Sequence, residues 1–239
     1  MPQTKPRERR KRDPEGTRSA ILDAAQSVLA RDGAEALSVS RVANLAGVNR
    51  GTAYQHFLAK EDLIEATMER VSHQLLEAVF EESQPQHNGK PIEDGLDPDL
   101  QHLPDVIKRM AGFTMRMALY TVENPDISRI WLFDVLSKED PKEDVFYKRF
   151  LQAIERLASS DVSEPDIDIE ALAVLMLSGF FLWPVWVGSH AKTKKMRFQM
   201  AQRFGNEVLR LTLHGFLSIQ SREVLEGATG TITKTKTRA

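Results

Sequence analysis

Arg50, Thr52, Tyr54, Gln55 and His56 crowd into the stretch LAGVNRGTAYQHF, residues 45–57, and each carries a side chain able to hydrogen-bond. That set suits a polyanion with readable edges. An arginine can grip the O6/N7 pair of a guanine and a glutamine the N6/N7 pair of an adenine, while hydroxyls and imidazole serve phosphates. Catalysis would need other residues. The sequence holds no Ser-His-Asp elbow, no Gly-rich phosphate loop and no HExxH pattern, and pairs such as Glu61 and Asp62 fall on exposed helical faces. No enzyme activity and no cofactor are expected.

These side chains need a short, firmly held helix. Ser38 suits an N-cap, followed by a short helix with Val39, Val42, Ala43 and Ala46 facing inward. Gly47 ends that helix, Asn49 caps the next, and Phe57 closes it. Ala53 and Phe57, four apart, face inward and fix the second helix. Two short helices joined by a Gly-containing turn, after a longer helix that breaks at Gly33, make a helix-turn-helix. Its second helix enters the major groove and reaches base edges from its N-terminal turns. Gly51, with no side chain, lets the backbone approach DNA closely.

The charge is divided to match. The net value of −2 hides a basic N-terminal quarter and an acidic remainder, so the head is the part expected to meet a polyanion. Residues 1–16 read as a disordered basic arm, with Lys5, Arg7, Arg9, Arg10, Lys11 and Arg12 among prolines. They contain no apolar leader, and cysteine is absent. A cytoplasmic location is expected, and disulfides and thiolate metal sites are excluded.

Helical periodicity begins at Thr17, with Ile21, Ala24, Ala25, Val28 and Leu29 on one face. A long amphipathic helix follows from Ala59, its inward residues Leu63, Ile64, Met68, Val71, Leu75, Leu76 and Val79. Residues 83–104, rich in proline, read as a flexible loop. There His87, His102, Glu93, Asp94, Asp97 and Asp99 are read as solvated groups, and no metal is expected. Helical patterns resume at 105–124, 125–137, 142–160, 167–189 and 193–222, and residues 223–239 read as a polar tail. No strand alternation stands out. The fold class is all-α, with about nine helices.

The residues from ILDAAQSVLA through AKEDLIEATM resemble the N-terminal domain of the tetracycline-repressor (TetR) family of bacterial transcription regulators. The carrying elements are the ILDAA helix, the Gly33 break, VSRVANLAGV, GTAYQHF and AKEDL, over roughly residues 17–68. The resemblance implies a DNA-binding domain at 17–62 and a ligand-binding and dimerisation domain at 63–222. It also implies a homodimer that a small molecule releases from, or more rarely holds on, a double-stranded operator. Carried over by position, Ser38 and Ser40 would hold phosphates, Arg50, Gly51 and Gln55 would face bases, and Thr52, Tyr54, His56 and Lys60 would line the backbone. Arg41 and Asn49 complete the expected DNA-binding set. Lys60 also opens the fourth helix, whose amides could join it on a phosphate. Gln55 departs from the family's more frequent histidine, and Ala53 from its more frequent leucine.

Ala171–Ser189 runs 19 residues without a charge, long enough for a membrane span. The basic residues lie downstream, at Lys192, Lys194, Lys195, Arg197 and Arg203, which would put the DNA-binding head on the wrong side of a membrane. A central helix of the body is therefore expected, with no membrane partner, and Pro184 should kink or end it. Met110, Phe113, Met117, Trp131, Phe150, Phe180 and Trp183 are candidates to line an apolar ligand pocket. Phe204, Val208, Leu211 and Gly215, with Met176 and Gly179 on the preceding helix, form the candidate dimer seam. The different-class alternative is a helical small-molecule or protein-binding module that binds no operator.

Overall fold

The computed structural model describes residues 13–80, two strands at 86–87 and 90–91, and residues 103–215, 217–221 and 223–224. The basic residues 5–12, the carboxylates of the 83–102 segment and most of the tail lie outside the described residues. The chain divides into two compact units after Met68.

The first unit opens with α1, Pro14–Asp32, three residues earlier than the apolar period indicated. Asp13 is the reason. Its carboxylate accepts the Gly16 N–H at 2.9 Å, and Pro14 at the first helical position has no N–H to lose. Gly33 ends the helix at φ +77, a conformation open to glycine, and its N–H donates to the Leu29 carbonyl. A 3-10 turn at Ala34–Ala36 leads to α2, Val39–Leu45, then α3, Arg50–His56, and the first turns of α4, Lys60–Phe80. Ile21, Val28, Val42, Ala43, Ala53, Phe57 and Leu63 form the core of this unit.

Among the described residues the second unit holds the rest of α4 and five further α-helices. These are α5 (Leu103–Glu123), α6 (Pro125–Ser137), α7 (Val145–Ala158), α8 (Ile169–His190) and α9 (Lys194–Gly215). Two antiparallel residue pairs, between β1 (Gln86–His87) and β2 (Lys90–Pro91), interrupt the segment read as a flexible loop. Among the described residues the fold is all-α apart from that pair and one isolated bridge.

α9 stops at Gly215, short of the expected 222. Leu217 bridges to Ser163, the Ser218 N–H donates to the Val162 carbonyl at 3.0 Å, and the Ser221 hydroxyl donates to the same carbonyl at 2.9 Å. Those bonds turn the chain away from the helix axis, and the Ser218 hydroxyl then accepts the Ser221 N–H. Pro184 does not end α8, which continues to His190 with Pro184 buried inside it. By lacking an N–H, Pro184 leaves the Phe180 carbonyl without its helical donor.

Two aromatic clusters lie on different sides of α8. Phe80, Phe113, Phe146, Phe150, Trp131 and Phe181 touch ring to ring, with Trp131 stacked on Phe181 at 4.2 Å. Phe180 and Trp183 instead pack on Phe204 of α9, at 5.3 and 5.1 Å between ring centres. The candidate pocket residues therefore do not surround one point. Phe113, Trp131 and Phe150 join the first cluster and Phe180 and Trp183 the second, while Met110 and Met117 are buried on α5. Both tryptophans have their N–H engaged: Trp131 donates to Asp144 at 3.1 Å and Trp183 to the Met200 carbonyl at 3.1 Å.

The candidate seam is also redistributed. Gly179 receives the Phe204 ring of the same chain, so this close approach lies between α8 and α9 of one subunit. Gly205, which sequence reading passed over, sits where α9 meets Met115 and Ala118 of α5. Gly215 stands in open space as the last residue of α9. Met176 and Val208 are half-buried and Leu211 is exposed. Along α8, Ala173, Leu177, Phe180, Phe181, Pro184 and Val187 are buried. Its opposite stripe exposes Val174, Leu175, Leu182, Val185 and Trp186. Among the described residues α8 is the one helix long and apolar enough to cross a membrane, with a mean hydropathy of 1.9.

Candidate nucleic-acid interface

Capping sets both short helices. The Ser38 hydroxyl accepts the Arg41 N–H at 3.2 Å and starts α2. Gly47, at φ +66, turns the chain between the helices, and the Val48 N–H donates to the Ala43 carbonyl at 2.9 Å. Asn49 then caps α3, its Oδ1 accepting the Gly51 N–H at 2.8 Å. A Cβ on Gly51 would stand 3.3 Å from that same oxygen. Glycine at 51 thus leaves room for the cap, besides clearing the helix surface.

Ala53 and Phe57 are buried, and the Arg18 guanidinium of α1 lies 5.1 Å above the Phe57 ring. With that face held, Arg50, Gly51, Tyr54 and Gln55 are exposed, and Thr52 and His56 are half-buried at the edges. The Tyr54 hydroxyl lies 3.5 Å from the Ser40 hydroxyl, tying α3 to α2 at the polar surface. Both hydroxyls keep capacity to meet a phosphate oxygen.

Three expected contacts are modified by their partners. Asn49 spends its oxygen on the cap, leaving only its NH2 to donate. Lys60 lies 3.9 Å from the exposed Glu35 carboxylate, and the neighbouring Asp62 already accepts the Ala59 N–H at 3.0 Å. Part of the phosphate cradle expected at the start of α4 is therefore filled by the protein's own acid. Arg41 departs furthest. Its guanidinium turns back to the Ala36 carbonyl, at 2.9 Å, and to the Asp32 carboxylate. Both partners lie upstream in the chain, which no local signal in the sequence could reveal.

Residues 21–67 match the family model described as bacterial regulatory proteins, tetR family. Over 90 residues the chain is 32% identical to a protein of Pseudomonas putida described as a probable HTH-type transcriptional regulator, ArpR, an overlap of 38% of this chain and 39% of that one. The chain thus spans about two fifths of that relative's length. Among solved structures it is similar to NalD, the secondary repressor of the MexAB-OprM multidrug efflux pump in Pseudomonas aeruginosa, at 22% identity and a TM-score of 0.56 over 87% of this chain and 99% of that one. It is also similar to SmeT in complex with triclosan, at 17% identity and a TM-score of 0.55 over 87% of this chain and 94% of that one. These structures share its fold. The capped helix-turn-helix thus lies inside the residues that match the tetR family of bacterial regulatory proteins, and the helical body shares the fold of these solved structures.

Proposed function

We propose that the chain is a sequence-specific DNA-binding transcription regulator of the cytoplasm. It acts as a homodimeric repressor that leaves a palindromic operator when a small apolar or amphipathic ligand enters its body. The observation that carries the reading is α3. A helix of seven residues buries Ala53, rests on Phe57 and presents Arg50, Tyr54 and Gln55 outward. Arg50 and Gln55 are the base readers, and Ser38, Ser40, Thr52, Tyr54, His56 and Lys60 serve the phosphates.

Self-association accounts for the exposed apolar stripe of α8. Val174, Leu175, Leu182, Val185 and Trp186, joined by Leu211 of α9, would be covered by the same residues of a second copy in an isologous two-fold contact. A two-fold dimer presents two copies of α3 to half-sites about one helical turn apart, roughly 34–36 Å. A ligand that favours another spacing lowers operator affinity by its differential affinity for the two states. The aromatic cluster around Phe113 and Phe150 and the methionines beside it on α5 supply adaptable apolar walls for such a ligand. The triclosan bound to SmeT is consistent with a ligand of that kind.

The test is a gel shift with DNA from immediately upstream of the chain's own gene, repeated across a salt series. A retarded band formed at lower protein concentration than with unrelated DNA of equal length supports the reading. Equal retention of both duplexes, or of neither, overturns it.

A further inference from the structure

Arg41 stands between Ser40 and Val42 in the first turn of α2, where a cation beside a DNA-binding surface reads most simply as a phosphate contact. The geometry gives it other work. Its Nη1 donates to the carbonyl of Ala36, the last residue of the 3-10 turn, at 2.9 Å. Its Nη2 meets the carboxylate of Asp32, the last residue of α1. Its own N–H is taken by the Ser38 cap at 3.2 Å. One residue therefore holds the end of α1, the connecting turn and the start of α2 together.

Asp32 is prepared for that role. A carboxylate at a helix C-terminus faces the negative end of the helix dipole and needs cations nearby. Arg31 supplies two hydrogen bonds to it, both at 3.0 Å. Those bonds hold the Asp32 carboxyl below its ordinary range against the opposing effect of desolvation, and Arg41 adds to the lowering. The planar guanidinium can serve a carbonyl and a carboxylate at once from fixed directions, which an ammonium cannot match.

We propose that Arg41 is a positioning residue for DNA recognition: it pins α2, and through α2 the recognition helix, to the end of α1, and it makes no phosphate contact itself. The inference rests on the DNA-binding reading above. The pin sets the orientation from which Ser38, Ser40 and α3 meet the duplex, while the Arg41 charge is satisfied within the protein.

The test combines two measurements on the whole 239-residue chain. The first is amide hydrogen exchange without DNA, comparing wild type, Arg41→Ala, Arg41→Lys and Asp32→Asn. Each variant is expected to speed exchange over residues 39–45 by about two- to fivefold, the range open to one partly exposed ion pair. The second is the salt dependence of operator binding. Arg41→Ala is expected to weaken binding with an unchanged slope of log affinity against log salt, whereas a lost phosphate contact lowers the slope by about one. A slope that falls by one with Arg41→Ala overturns the inference, and so does unchanged exchange in Arg41→Ala and Asp32→Asn. Full recovery of both readouts by Arg41→Lys overturns the part assigned to the planar fork. If Arg41→Ala does not fold, Asp32→Asn and Arg41→Lys still decide the exchange arm. A wild-type chain that retains no DNA overturns the functional reading instead, and the exchange measurement then decides the pin by itself.

Discussion

The Phe204 ring of α9 stands where a side chain on Gly179 of α8 would go: a Cβ there would lie 3.1 Å from the ring edge. The ring cannot withdraw easily, because it stacks on Trp183 and meets Phe180 edge-on. Gly179→Ala trades a gain in helix propensity of about 0.5–1 kcal/mol against that crowding and should come out near neutral. Gly179→Val adds two more methyl groups and should cost about 2 kcal/mol through overpacking. Urea unfolding of the two variants checks this. A valine variant as stable as wild type would mean that the α8–α9 contact is slack.

Asp144 is the buried polar hub of the second unit. Its carboxylate accepts the Trp131 indole N–H at 3.1 Å, the Tyr147 N–H at 2.8 Å and the Ser72 hydroxyl. Asp144→Ala leaves three buried donors without their acceptor and should cost about 3–5 kcal/mol, a large part of the stability of an ordinary domain. Asp144→Asn keeps one acceptor oxygen and should cost about half as much. The urea midpoint of each variant, read with the transition slope, gives the comparison. Equal and small losses would mean that the hydrogen bonds to Asp144 contribute little.

Val185 is 59% exposed on α8 in the single chain. A glutamate there costs the isolated subunit little, but in a two-fold contact it would be buried without a partner, which costs several kcal/mol. Val185→Glu should therefore sediment as a folded monomer with unchanged circular dichroism. Leu211→Glu, on α9, should weaken the dimer in the same direction. A Val185→Glu chain that remains dimeric places the interface on another face.

Arg50 and Lys60 are both cations of the head, but they should fail differently. Arg50 is exposed at the start of α3, and losing a bidentate base contact costs about 1–3 kcal/mol at one base pair. Arg50→Ala should flatten the sequence preference there. Lys60→Ala should weaken all duplexes alike and lower the salt slope by about one. Titrations of matched and single-mismatch duplexes separate the two. Uniform loss in both variants would move Arg50 to the phosphates.

What was legible in the sequence was local. Ser38 and Asn49 announced their caps because an N-cap is written within three residues of its partner. Ala53 and Phe57 announced the buried face of α3 by their spacing. The partners of Arg41, Asp32 and the Ala36 carbonyl, were not legible because the Gly33 turn brings them round. Phe180 and Phe181 were not separable by periodicity, since neighbouring positions on a helix point about 100° apart and α8 is apolar nearly all round. Asp144 meets Ser72 across 72 residues, beyond the reach of any pattern. Gly205 looked like any helical glycine until α5 was seen against it.

Selection of duplexes from a random library by the 239-residue chain, run in parallel with wild type and Gln55→Ala, tests the recognition role of α3 most directly. The wild-type chain should enrich a palindrome whose half-site centres are about 10 base pairs apart. Gln55→Ala should enrich the same palindrome with preference lost at one position in each half-site. Enrichment of no motif by the wild-type chain, or of an identical motif by both proteins with Arg50→Ala also unchanged, would contradict base reading by α3.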